Sequence, residues 1–269
     1  RQIRRRRRFM TGTAGMAYAQ ARIQSRYGSR ADAAVWLKLQ NIHDLGSYLQ
    51  TAQQTPLRHW ILGISATHSS HEIELTLRQK YRSHIDEVAN WVPASWRKPL
   101  CWIKRLAELP ILQYLAAGNK PLDWMVLDVD LGNFTSDDPA ARLQAMREAG
   151  CSALVEAWLR DGYMLEGWIR EWNRVRPKSK ITDAGFTHLE KQIHQLIHTQ
   201  LHQQNDILLT DYENAFNTFR RLFRQYAFQP AGVCAYLAIV AIDLHRIRGD
   251  LMQRLHFPDN QNLAEGLFV

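Results

Sequence analysis

Three histidines, His194, His198 and His202, recur at four-residue steps with Glu190 one turn earlier. On a helix this spacing makes one ridge, and two imidazoles at i and i+4 can chelate a transition metal. A stable site needs three or four converging ligands, and no Cys, Asp or Glu stands at matching spacing on another predicted helix. Leu189, Ile193, Leu196, Ile197 and Leu201 run alongside, so the ridge reads first as the border of a packed helix face. The string His68-Ser-Ser-His71-Glu72 places both histidines before the acid, whereas zinc hydrolases use H-E-x-x-H or H-x-x-E-H. Ser69 and Glu72 have instead the spacing of a helix capping box. Asp128-Val-Asp130 in Leu127–Gly132 has the form of an aspartyl nucleophile loop, but such a loop needs a parallel sheet behind it. It also lacks the ligand positions of a calcium loop. It reads as a solvated acidic connection. No phosphate-cradling glycine loop and no nucleophile elbow occur. No catalytic residue and no cofactor are assigned.

The elements that would position these residues are helices. Val233, Leu237, Val240, Leu244, Ile247 and Leu251 recur at steps of four and three, the period of a helix burying one side. Ile73, Leu77, Tyr81, Ile85, Val88 and Val92 make a second such stripe ending at Pro93. Further helices are expected over 14–27, 29–51, 95–107, 110–117, from Pro139 behind the Asp138 cap, and over 151–160, 163–174, 183–203 and 207–227. Only Trp124–Leu127 has the look of a strand, and it has no partner run. The class is all-α, a multi-helix body of packed amphipathic helices. Residues 10–269 read as one helical domain, with candidate internal breaks near 119–137 and 173–182.

The 269 residues are 46% hydrophobic and 22% charged, the balance of a globular protein. The formal charge is +8. Six arginines lie within the first eight residues, and removing six from +8 leaves +2 for the rest. The basicity therefore belongs mainly to residues 1–9, read as a disordered tail or a stretch upstream of a start at Met10, with a nucleic-acid or anionic-membrane arm as the alternative. The longest apolar run falls short of the ~20 residues that span a bilayer. Cys101, Cys151 and Cys234 are widely spaced and frame neither disulfides nor a zinc site, which fits a reducing cytoplasm.

Nine tryptophans are present. Trp158, Trp168 and Trp172 lie beside Arg160, Arg170 and Arg174. Large aromatics at helical spacing are first of all core with an exposed edge; the alternatives are that the edges anchor a protein interface or, interleaved with arginines, stack on bases. Arg220, Arg221 and Arg224 lie opposite Tyr212, Phe216, Phe219 and Phe223. Together with Arg246, Arg248 and Arg254 they make basic faces suited to an acidic partner.

Two short motifs carry a family resemblance. Tyr18-Ala-Gln-Ala-Arg22-Ile23 is similar to the opening Tyr-x-x-Ala-Arg-aliphatic helix of one rotary-ATPase family. That family comprises the d-type subunit of V-type ATPases and its counterpart, the C-type subunit of archaeal and bacterial ATP synthases. Asp243-Leu-His-Arg-Ile247-Arg248 resembles the same family's closing acid-x-x-x-aliphatic-Arg signature. Between them, a segment with Trp36, Leu39, Leu45 and Leu49 leads into Thr55-Pro-Leu57. The family commonly has Lys where this chain has Val240, and an amide where it has Arg246. The resemblance implies a trimmed, funnel-shaped helical adaptor without catalytic residues. Its partners would be the central stalk and the proteolipid ring of a rotary ATPase that carries protons or sodium. It would be cytoplasmic, reach the inner membrane only through that complex, and take no small-molecule substrate. Tyr18, Arg22, Asp243, Ile247 and Arg248 would be structural, drawing the first and last helices together. Arg220, Arg221, Arg224 and Arg246 would face the partner. The rival readings are a basic helical nucleic-acid-binding or regulatory protein, and a metal-dependent hydrolase using the histidine ridge or Asp128 and Asp130.

Overall fold

A computed structural model describes residues 2–202 and 209–257, with side chains described outside 2–13, 180–181, 198–202 and 209–212. Helices account for most of it, and no strand occurs among the described residues. In chain order they are α1 (Gln2–Gly28), α2 (Ala33–Gln40), α3 (Leu45–Ala52), α4 (Arg58–Ile61), α5 (Ser70–Trp91), α6 (Ala94–Ala116) and α7 (Asp123–Leu127). Then come α8 (Pro139–Met146), α9 (Ser152–Asp161), α10 (Leu165–Val175), α11 (Lys180–His202), α12 (Leu209–Gln225) and α13 (Pro230–His256).

Caps explain many of the boundaries. The Ser69 hydroxyl accepts the Glu72 N–H at 3.3 Å while the Glu72 carboxylate accepts the Ser69 N–H at 2.7 Å. That reciprocal box starts α5. Asp138 accepts the N–H groups of Ala140 and Ala141 ahead of Pro139, which starts α8. Asp44 accepts the Ser47 N–H at 2.7 Å. This second cap splits the single helix expected over 29–51 into α2 and α3. In the other direction, the two short helices expected at 95–107 and 110–117 are one, α6, which continues through Pro99 and Pro110. Trp124–Leu127 is helical, not a strand. Trp124 and Met125 are both buried while Val126 and Leu127 are both exposed; adjacent residues share a side on a helix but not on a strand. Residues 2–9, read from sequence as a tail, fall within α1.

The chain divides into two compact units. The first comprises residues up to Ile23 and Arg82–Ile242, the second Gln24–Tyr81 and residues from Asp243 onward. The breaks expected near 119–137 and 173–182 both lie inside the first unit.

Aromatic rings fill the first unit. Trp168 and Trp172 stack at 5.5 Å on one face of α10, Trp172 meets Phe186 edge-on, and Phe186 stacks on Trp96. The Trp168 indole N–H donates to the Trp102 carbonyl at 3.2 Å, and the Trp102 indole returns the bond to the Trp168 carbonyl at 3.3 Å. Helices α9 and α10 approach so closely that a Cβ on Gly167 would overlap the Ala153 carbonyl oxygen. Between α12 and α13, Phe228 adopts a left-handed φ of 64°. Its N–H is held at 3.1 Å by the buried Gln20 side-chain oxygen.

In the second unit Leu244, Ile247 and Leu251 of α13 are buried, as are Trp36, Leu39, Tyr48, Leu49, Ile73 and Leu77. Helix α13 as a whole is long and apolar enough by composition to cross a membrane, but 67% of its most apolar window is buried inside the protein. That is the pattern of a core helix.

Candidate functional site

A buried network of charged side chains lies in the first unit, around Arg82 of α5. Arg82 is on the α5 face that also carries Ile85 and Ala89, and both of these are buried. A guanidinium so placed needs carboxylates around it. Its Nε donates to Glu108 of α6 at 2.9 Å, and Nη1 reaches both oxygens of Asp128 at 2.8 Å. Asp130 stands 3.2 Å from Nε, and Arg105 donates to the second oxygen of Glu108 at 2.7 Å. Asp128 is 1% exposed and also accepts the N–H groups of Asp130 and Leu131. The expected solvated connection is therefore corrected: Asp128 is an interior ion-pair partner, and Asp130 alone of the two remains in water. Sequence reasoning missed Arg82, Arg105 and Glu108. Arg82 meets Glu108 across 26 residues and Asp128 across 46, on separate elements, although an arginine on an apolar stripe was a usable signal.

The motif residues find their partners within their own units. In the first, the Arg22 guanidinium lies over the Tyr18 ring at 5.9 Å and the Trp91 ring at 4.9 Å. In the second, Asp243 takes two hydrogen bonds of 2.6 Å from Arg30, just beyond α1. Arg248 donates to the buried Glu74 of α5, which also holds Arg78 at 2.6 Å. Ile247 is wholly buried. Burial pushes the Glu74 carboxyl up, but Arg78 and Arg248 outweigh it and leave it below the usual value.

Burial also raises the Asp243 carboxyl above its ordinary value, with Arg30 pulling the other way. A carboxyl that holds its proton more tightly folded than unfolded adds stability as pH falls through that window. Arg30→Ala removes the opposing pull and two charge-assisted hydrogen bonds, so a loss of about 2 kcal/mol is expected at neutral pH. The deficit should shrink as pH falls toward the aspartate range. Urea titrations at neutral and mildly acidic pH measure it; a deficit that grows on acidification contradicts this account.

The remaining cations of α13 are used internally. Arg254 is buried and donates to the carbonyls of Leu39 and Ile42 at 2.9 and 2.7 Å, closing the C-terminal end of α2. Arg246 lies 4.3 Å over the Trp36 ring. Asp250 accepts the Tyr48 hydroxyl at 3.2 Å; burial, with Asp250 second, pushes that phenol up. The basic face expected at Arg246, Arg248 and Arg254 is thus largely an internal scaffold. On α12, Phe219 and Phe223 are buried and Arg221 and Arg224 exposed, while Arg220 lies over the Phe216 ring at 5.8 Å. The side chain of Tyr212 lies outside the described residues. Trp168 and Trp172 are core, and no tryptophan is among the exposed large hydrophobics. Burial at Trp168 and Trp172 matches the core reading of these aromatics, while Trp158 is half-buried next to the exposed Arg160.

Of the histidine ridge, His194 stands 3.5 Å from Glu166, and the side chains of His198 and His202 lie outside the described residues. Among the described residues no three His, Cys, Asp or Glu side chains converge on a metal position. The three cysteines are free. Comparison with protein-family models, curated proteins and solved structures returned no match.

Proposed function

We propose that this chain is a non-catalytic adaptor subunit of a V/A-type rotary ATPase, coupling the central stalk to the membrane proteolipid ring during proton or sodium transport. The observation that carries this reading is how the motif side chains are used. Asp243, Ile247 and Arg248 are committed to ion pairs and core on a single helix, and Arg22 is laid across two rings. A signature of that kind holds helices in place and does no chemistry, as an adaptor requires. The protein would be cytoplasmic, with membrane contact only through the complex, and no cofactor is needed.

Docking falls to the exposed Arg221 and Arg224 of α12, backed by the buried Phe219 and Phe223. Co-expression with the stalk and ring subunits encoded in the same genome tests the reading directly. The wild-type chain is expected to co-purify with them. Arg221→Glu with Arg224→Glu should fold normally but associate roughly tenfold more slowly at low salt, with the deficit shrinking at high salt. Failure of the wild-type chain to co-purify with either subunit rejects the proposal; wild-type association by the double variant rejects this face alone.

A further inference from the structure

Phe228 stands where glycine would be the unstrained choice. Gln229 precedes Pro230 and is thereby kept out of the helical region. Helix α12 cannot run straight into α13, and the chain turns between them with φ 64° at Phe228. Glycine enters that left-handed region freely, whereas a bulky side chain is strained there. The ring gives the fold little in return, since Phe228 is 62% exposed. Backbone strain of this kind gathers at binding sites and clamps.

The backbone around Phe228 is firmly held. Its N–H donates to the buried Gln20 side chain at 3.1 Å, and the Gln229 N–H donates to the Tyr226 carbonyl at 3.1 Å. The Tyr226 hydroxyl is hydrogen-bonded to His188 of α11 at 2.5 Å. A Cβ on Gly232 would come within 2.3 Å of the Tyr226 carbonyl oxygen, so the first turn of α13 packs directly against this segment. A residue whose backbone is already fixed loses less freedom when it is covered.

The charge beside it says what covers it. Arg221 and Arg224 are three residues apart on α12 and so share a side. The Ala227 N–H donates to the Arg224 carbonyl at 3.4 Å, which keeps the chain coiled and puts Phe228 one turn beyond Arg224. Arg221, Arg224, Gln225 and Phe228 are all exposed, and neither arginine has an ion-pair partner among the described residues. No acidic residue occurs between Glu213 and Asp243, and α1, which supplies Gln20, has none at all. A nucleic-acid strand asks for a basic groove that tracks many phosphates, and two guanidiniums beside the neutral Gln225 do not make one. We propose that Phe228 is the apolar anchor of this face, seated in a pocket of a partner protein whose rim carries Asp or Glu for Arg221 and Arg224. This rests on the reading of α12 as the docking face of a rotary-ATPase adaptor, and adds the chemistry of the surface it meets.

Co-expression with the stalk and ring subunits, followed by rate measurements on the purified complex, is the test. Phe228→Gly keeps the backbone N–H and relieves the strain. It should melt about 2 °C above wild type yet release the partner at least roughly tenfold faster. That faster release should be the same at low and high salt, because an apolar anchor acts on dissociation, whereas reversal of the arginines acts on association. Phe228→Leu keeps both the strain and an apolar side chain, and should hold the partner more tightly than the glycine variant does. A glycine variant that binds like wild type overturns the proposal and leaves the rotary reading standing. One that melts below wild type also overturns it, since the ring would then serve the fold. Failure of the wild-type chain to co-purify removes the rotary reading and this proposal with it. A single-stranded oligonucleotide that binds the wild-type chain but not the glycine variant overturns it in favour of base stacking.

Discussion

Arg82→Ala is expected to cost about 3–5 kcal/mol of folding stability, the penalty for stranding buried carboxylates by removing their shared cation. Glu108 would keep Arg105, but Asp128 would keep only backbone N–H donors in an interior position. Arg82→Lys should recover part of the loss. An ammonium is a point charge, and it cannot reproduce a fork that serves Glu108 with one nitrogen and both oxygens of Asp128 with another. Urea denaturation of both variants measures the two steps. Unfolding of the alanine variant at the wild-type midpoint would mean that the network contributes nothing.

Gly167→Ala should be comparably severe for a different reason. The added methyl would overlap the Ala153 carbonyl carbon at 2.6 Å and the Leu154 Cα at 2.7 Å, atoms of the α9 backbone that no rotamer change can move. The two helices would have to separate, at a cost of about 3 kcal/mol or more. Since Trp168 follows at once and stacks on Trp172, the near-ultraviolet circular dichroism should change along with the melting temperature. Retention of both signals would show that α9 and α10 have slack that their backbone spacing denies.

Helix identity was legible because its signals are local. The α13 stripe from Val233 through Leu251 is buried at every position read, and the Ser69–Glu72 and Asp138–Pro139 caps sit where their spacing placed them. What the sequence hid is non-local. The boundary expected just before Pro110 is absent, and α6 continues through it as it does through Pro99. Asp128 looked solvated because its loop is polar in composition, and only Arg82, 46 residues earlier, shows otherwise. Arg254 reads from sequence as part of a basic face because its acceptors, the carbonyls of Leu39 and Ile42, are backbone atoms that no side-chain pattern reveals.

Those same long-range bonds set a timetable for synthesis. Arg30 meets Asp243 across 213 residues, and Leu39 is closed by Arg254 across 215. At about 5–20 residues per second, the early half of the second unit leaves the ribosome about ten seconds or more before its other half exists. During that interval the end of α2 and the Arg30 guanidinium are served by water, and the apolar face of Trp36, Leu39 and Tyr48 has no α13 to cover it. The second unit can close only after translation has nearly finished, so a ribosome stalled within α13 would hold a chain whose early helices remain open to chaperones and proteases.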